Sequence, residues 1–319
     1  MSRVVIVGGS GHVGTYLVPR LVEAGFEVVN VTRGQRAPYT PHGAWEAVTT
    51  VNADRAAEDA AGTFGERIAA LKPDIVIDMI CFEPESARQM ATALAGKVQL
   101  LVHVGTIWVH GPSVQVPTTE MQARRPFGDY GVKKAAIEAL LMEAARRDGV
   151  PVTIVHPGHI VGRGWNPLNP AGHFNPVVFS MLAQGKPLAL PNLGLETVHH
   201  VHADDVAQMI MCTIANWSSA VGEAFHTVSP AAVTLRGYAE TVAGWFGREA
   251  ELSFLPFDEW KAGWSETEAD ATLNHIAHSP NCSIHKARRL LGYQPRYTSF
   301  EAVREAVDWL IAAGTVETA

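Results

Sequence analysis

Tyr130 and Lys134 stand four residues apart in Tyr130-Gly131-Val132-Lys133-Lys134, at the start of a helix expected over 130–147. Ile137, Leu140, Leu141 and Ala144 recur there at three- and four-residue intervals, the period of one helix face. Four residues make about one turn, so the phenol and the Lys134 ammonium share a face. A cation beside a phenol favours the phenolate and lowers its pKa. Tyr130 is then a usable acid or base. Lys133, one residue earlier, points about 100° away around the helix and is expected in solvent. Thr106 follows an apolar run over 99–104, where its hydroxyl can orient a reacting oxygen.

A second pattern opens the chain. Val4-Val5-Ile6-Val7 runs into Gly8-Gly9-Ser10-Gly11-His12-Val13-Gly14 and then into a helical stretch. A pyrophosphate needs backbone N–H groups at close range and the positive end of a helix. Glycines at 8 and 11 leave the backbone bare for that approach. His12 and Val13 follow at the helix start, and Gly14 lets the helix pack closely on the strand. The second strand ends Val31-Thr32-Arg33-Gly34, without the carboxylate that would bind a ribose 2′-hydroxyl. Arg33 suits a 2′-phosphate, so the expected cofactor is NADP in preference to NAD. Asp54, with Arg55, is placed to reach the adenine. Met79 and Pro157, just beyond two further strands, complete the expected cofactor set, with Thr32, Tyr130 and Lys134.

These residues need a framework to hold them. Apolar runs at 4–7, 27–31, 74–79, 99–104 and 152–155 alternate with helical patterns at 16–24, 85–95 and 130–147. That alternation indicates βαβ units and a parallel sheet. After His156 the texture changes. The stretch 157–191 is rich in Gly, Pro and Asn, with one helix expected at 177–184. A strand is expected at 199–203, a helix through Ile214, and helices at 235–246, 284–291 and 300–313. The expected architecture is α/β: a Rossmann-type doubly wound parallel sheet over 1–160, rejoined at about 199–228. A smaller, mostly helical substrate-binding part spans 161–198 and 229–319.

Composition narrows the function classes. The 319 residues are 47% hydrophobic and 18% charged, an ordinary globular balance. The net charge of −7 argues against general binding to a nucleic-acid backbone. Cys81, Cys212 and Cys282 are far apart with no C-x-x-C pair, so buried thiols are expected. No secretory pattern precedes the first strand and no long apolar run spans a bilayer, so a cytoplasmic, reducing setting is the expectation.

With these residues assembled, the chain resembles the extended short-chain dehydrogenase/reductase family, also called the NAD-dependent epimerase/dehydratase family, over nearly its whole length. The family's glycine turn matches Gly8, Gly11 and Gly14, and its Ser/Thr–Tyr–Lys set falls on Thr106, Tyr130 and Lys134. Its S-x-x-V-Y-G segment resembles Thr106 to Gly111, and R-P-x-x-V-x-G resembles His156 to Gly162. H-V-D-D-V-A matches His202 to Ala207, with Ala203 for Val. S-K-A-R-x-L-L-G resembles Ser283 to Gly292 with two extra residues. The resemblance implies an NAD(P)-dependent epimerase or reductase, with hydride transfer at a secondary alcohol of a sugar-like substrate.

Departures refine that expectation. Family 4,6-dehydratases carry Asp-Glu straight after the catalytic Thr, whereas Ile107 and Trp108 stand here. Neither can move protons, so dehydration is disfavoured. Val198 occupies the place of one diphosphate-binding Arg, and no Arg lies between Ala262 and His285 for the other. Bidentate partners for a diphosphate are therefore missing, and a free sugar, sugar acid or other small alcohol fits better. His159, where epimerases present an Asn, is a substrate candidate with Thr106, Asn175 and His199. His199, His200 and His202 cluster, and strand alternation puts only His200 and His202 on one face; no third ligand is legible and no metal is expected. Trp245, Trp260, Trp264 and Trp309 are expected in the core. Ala135, Ala136 and Ala139 suit a homodimer contact or packing on the sheet. The alternative class is a non-catalytic NADP-binding regulator or RNA-binding protein of an atypical branch, which Thr32-Arg33-Gly34 and the segment 74–78 resemble.

Overall fold

The computed structural model describes residues 1–318. Its first half runs β1 (Arg3–Val7), α1 (His12–Glu23), β2 (Glu27–Thr32), β3 (Thr49–Asn52), α2 (Arg55–Ala60), α3 (Phe64–Ala70), β4 (Ile75–Asp78), α4 (Pro84–Leu94), β5 (Leu100–Val104), α5 (Gly128–Arg147) and β6 (Val152–Pro157). The second half continues β7 (His159–Val161), α6 (Val177–Ala183), β8 (Leu188–Pro191), β9 (Thr197–Val198), β10 (His200–His202), α7 (Ala203–Ala215), α8 (Trp217–Ala220) and β11 (Ala224–Thr227). It ends β12 (Val233–Thr234), α9 (Leu235–Trp245), β13 (Leu252–Leu255), α10 (Phe257–Trp260), α11 (Glu266–His278), α12 (His285–Leu291) and α13 (Ser299–Ala312).

Seven parallel strands form one sheet in the order β11-β6-β5-β4-β1-β2-β3. The sheet is doubly wound, and its strands alternate strictly between two cores. Val4 and Ile6 join Leu17 and Leu21 of α1 and Met209 and Ile210 of α7 on one face. Val5 and Val7 join Ile68 of α3, Met90 of α4 and Ile137 of α5 on the other. Burial on both faces is why these strands read as continuous apolar runs. A third core lies in the C-terminal part, where Phe179, Leu190, Tyr238, Val242, Val303 and Leu310 pack together. Trp260 is buried there, and Trp245, Trp264 and Trp309 pack against it half-buried. Cys81 and Cys282 are buried and Cys212 is half-buried, all as free thiols. Among the described residues no helix is long and apolar enough to cross a membrane.

Several elements differ from the periodicity. The strand expected at 199–203 does not enter the large sheet: β10 pairs with β7, setting His200 opposite His159. The chain rejoins the sheet through α7 and then β11, beside β6. β3 was not expected, because Thr49–Asn52 is polar and largely exposed at the sheet edge. α2 and α3 were also missed; both are short and Ala-rich.

Candidate active site

The glycine turn is built as a phosphate cradle. Gly8 has φ of +91° and bonds through its N–H to Val31, and a Cβ on it would press Ile80. A Cβ on Gly14 would overlap the Gly9 carbonyl outright. α1 begins at His12 after Gly11, so the first-turn N–H groups at His12, Val13 and Gly14 lack intrahelical partners. Behind the turn, buried Asn30 on β2 accepts from Gly9 N–H at 3.0 Å and donates to Ser10 Oγ at 2.9 Å. The His12 ring turns away and stacks on Trp165, with centroids 5.1 Å apart. These residues fit a dinucleotide's pyrophosphate.

A cleft of about 690 Å³ opens from this turn. Gly8, Gly11, Thr32, Arg33 and Asp54 line it, together with Ser10, Arg36, Ile80 and Phe82, which sequence reading did not single out. Arg36 lies only three residues beyond Arg33, and that spacing was the available signal. The carboxylates of the cleft are engaged. Asp54 caps α2 by accepting from Ala57 N–H at 3.2 Å, and Asp59 pairs with Arg55. Glu83 pairs with Lys133 and Glu85 with Arg88. Arg55, expected with Asp54 near the adenine, also lines the cleft, and its two terminal nitrogens grip buried Asp78 and hold that carboxyl below its usual range. Arg33 and Arg36 form no ion pair with any described residue and are exposed at the rim.

The catalytic candidates gather at the C-terminal ends of β4 and β5. Thr106 is buried, and its Oγ1 accepts from Trp108 N–H at 3.2 Å, capping a short turn. Tyr130 stands 42% exposed at the start of α5; desolvation by the surrounding protein holds its phenol above the ordinary value, against the opposite pull of the neighbouring Thr106 hydroxyl. The lowering expected from Lys134 is absent, because its ammonium is committed elsewhere. Lys134 Nζ donates to the carbonyls of Cys81 and Val104 at 2.8 and 2.9 Å, and desolvation brings it down to about 8. It also lies 4.9 Å from the Phe82 ring, at the edge of the cleft. Lys133 faces solvent and pairs with Glu83 and Asp129. Met79 is half-buried after β4 and donates to Val7, while Pro157 is buried at the end of β6.

Beside Tyr130 lies a wall of rings. Trp108 meets Tyr130 edge-on at 5.9 Å, stacks on His278 at 4.1 Å and meets His275 at 5.1 Å. His275 in turn lies 5.0 Å from His159 and 5.5 Å from Phe174. His159 thus joins the wall through His275, and both its ring nitrogens are buried without a partner. The other two substrate candidates are structural. Asn175, just before α6, accepts from Val177 N–H at 3.0 Å and donates to Glu268 at 2.5 Å. His199 is fully buried, bonded to Ser229 O at 2.9 Å and to Cys282 N–H at 3.1 Å. His200 and His202 are likewise tied to Leu168 O and Glu305.

His110, His156 and His226 bring one nitrogen each within 4.8 Å of one another, all buried. One tautomer set, assigned from the network, accounts for the contacts. Arg124 faces His110 Nδ1 at 3.4 Å, His110 Nε2 donates to His226 Nε2 at 2.7 Å, and His226 Nδ1 donates to Ser283 O at 3.1 Å. His156 Nε2 meets Glu138 at 2.8 Å. A guanidinium at one end opposes a metal cation, so the cluster reads as a hydrogen-bonded chain.

The profile of the NAD-dependent epimerase/dehydratase family matches residues 4–226. The chain belongs to that family. The family binds NAD(P), in keeping with the cradle and cleft above. The 2'-dehydrokanamycin reductase of Streptomyces kanamyceticus is 32% identical over 82% of this chain and 71% of its own. The chloroplast stem-loop binding protein of 41 kDa b of Arabidopsis thaliana is 25% identical over 98% and 80%. The UDP-glucose 4-epimerase of Thermotoga maritima superposes with a TM-score of 0.73 at 18% identity, covering 98% of this chain and 99% of that one, a likeness of fold.

Proposed function

We propose that this family member is an NADP-dependent reductase that transfers hydride to and from a secondary alcohol carbon of a sugar-like substrate. The observation that carries the reading is the grouping of Thr106 and Tyr130 with Lys134, whose ammonium lies beside Phe82 at the edge of the dinucleotide cleft. The bound nicotinamide dinucleotide supplies the hydride donor or acceptor. Gly8, Gly11 and the first turn of α1 hold its pyrophosphate, and Asp54 lies at the adenine end. Tyr130 gives a proton to the carbonyl oxygen in reduction and takes it back in oxidation. Thr106 orients that oxygen. Lys134 keeps positive charge beneath the site. Residues 161–198 and 229–319 form the substrate-binding part, and Ile107 and Trp108 leave no acid–base pair for dehydration. Likeness to a kanamycin-series reductase favours reduction over epimerisation.

Arg33 and Arg36 are the unpaired cations where a 2′-phosphate would lie. Arg33→Ala with Arg36→Ala is expected to weaken NADPH binding at least about tenfold, the scale of a lost charge-assisted pair. NADH binding should move less than about twofold. Fluorescence titration reads both, and equal losses for the two cofactors would remove the NADP assignment. The non-catalytic alternative is favoured by the chloroplast relative's coverage. The acidic net charge and the retained catalytic set weigh against it, and tight, cofactor-dependent RNA retardation in a gel at physiological salt would reverse that judgement.

A further inference from the structure

Resting on the hydride-transfer reading above, we propose that the site takes a phosphate-free polyhydroxylated ring, neutral or amino-bearing, and reads its hydroxyls with the uncharged imidazoles of His159, His275 and His278. These rings form one wall with Trp108 beside Tyr130. They come from β7 and from the last turn of α11, more than a hundred residues apart in sequence.

The charge state of the wall sets the ligand class. Burial holds His275 down to about 4, His159 well below its usual value and His278 below it too. All three are neutral at pH 7. A neutral imidazole offers one N–H donor and one lone pair, the complement of a hydroxyl, and cannot neutralise a phosphate. His159 is half-buried with both ring nitrogens buried and unpartnered, and His278 Nε2 is unpartnered as well. Buried polar groups are rarely left so, and a substrate's hydroxyls would complete them.

The surroundings exclude a diphosphate independently. The segment 263–284 contains no Lys or Arg, while α11 carries Glu266, Glu268 and Asp270. Glu268 is held beside Asn175 at the start of α6. Val198 is fully buried in an apolar core. Lys134 is committed to two carbonyls. A nucleotide sugar or a sugar acid would therefore meet carboxylates and neutral rings, while an amine would be tolerated.

The test uses the full chain loaded with NADPH. UDP is titrated by calorimetry, and NADPH oxidation is followed with myo-2-inosose, a methyl 3-ketoglucoside and amino-bearing ketosugars. No UDP binding up to about 1 mM and turnover of a phosphate-free ketone are expected. His159→Ala should lower kcat/KM about tenfold, chiefly through KM, the pattern of lost substrate binding. His159→Asn should restore part of it, and His278→Gln should act in the same direction with an unchanged melting temperature. Micromolar binding of UDP, or turnover of nucleotide-linked ketones alone, would overturn the inference while leaving the hydride reading intact. Failure to bind NADPH would instead strike the hydride reading itself.

Discussion

Tyr130→Phe lowers turnover by about 10²–10⁴-fold, the range for loss of a positioned acid–base group, and leaves the Kd for NADPH within about twofold. The expectation follows from where the hydroxyl is. It is the one atom removed, it neighbours the Thr106 hydroxyl, and the ring that remains still packs edge-on against Trp108. The cleft lining at the glycine turn does not include Tyr130. Because burial holds the phenol above its usual value, it is protonated at neutral pH and suited to give a proton in reduction. Steady-state kinetics with a reducible ketone, beside fluorescence titration of NADPH, measure the two halves separately. Full turnover in the variant would remove Tyr130 from the mechanism.

Acidification is expected to unfold the protein with a midpoint of about pH 5–6. His12, His173, His199, His200 and His275 are held at about 4, and His103 and His110 at about 3, chiefly by desolvation. In the unfolded chain each titrates near ~6.5. The folded state binds fewer protons, so stability is full above that value and falls as pH drops through it. At about pH 5.5 each such group costs roughly 1.4 kcal/mol. Together they cost about 10 kcal/mol, comparable with the ~5–15 kcal/mol stability of a typical protein. Carboxylates act later. Glu138, lowered to about 2 by His156 and Arg124, contributes stability that is lost only as pH falls below its ordinary carboxylate range. Circular dichroism against pH reads the transition, and a flat signal from about pH 7.5 to 4.5 would contradict this account of the histidines.

What could be read in the sequence was what local pattern encodes. The run Val4–Val7, the glycines after it and the pair Tyr130 and Lys134 are each specified within a few residues, and their places in the fold follow from period and spacing. β3 has no such signal, because an edge strand with exposed Thr and Asn carries no apolar alternation. The ring wall was hidden for another reason. Trp108, His159 and His275 meet only through tertiary folding, and no spacing announces a contact across such separations. His199 and Asn175 show the reverse error. Residue type marked them as polar and useful, but each is bonded within the fold, His199 to Ser229 and Cys282 and Asn175 to Val177 and Glu268.

Asn30 has a consequence for how fast the cofactor can be captured. Its side-chain amide, fixed in the floor of β2, holds Gly9 and Ser10 in shape. The turn therefore surrenders its conformational freedom when the chain folds. At its pyrophosphate an arriving dinucleotide meets a preformed turn. Association is then governed by encounter and orientation rather than by a slow rearrangement, and differences in affinity between cofactors are left to the rate at which each departs.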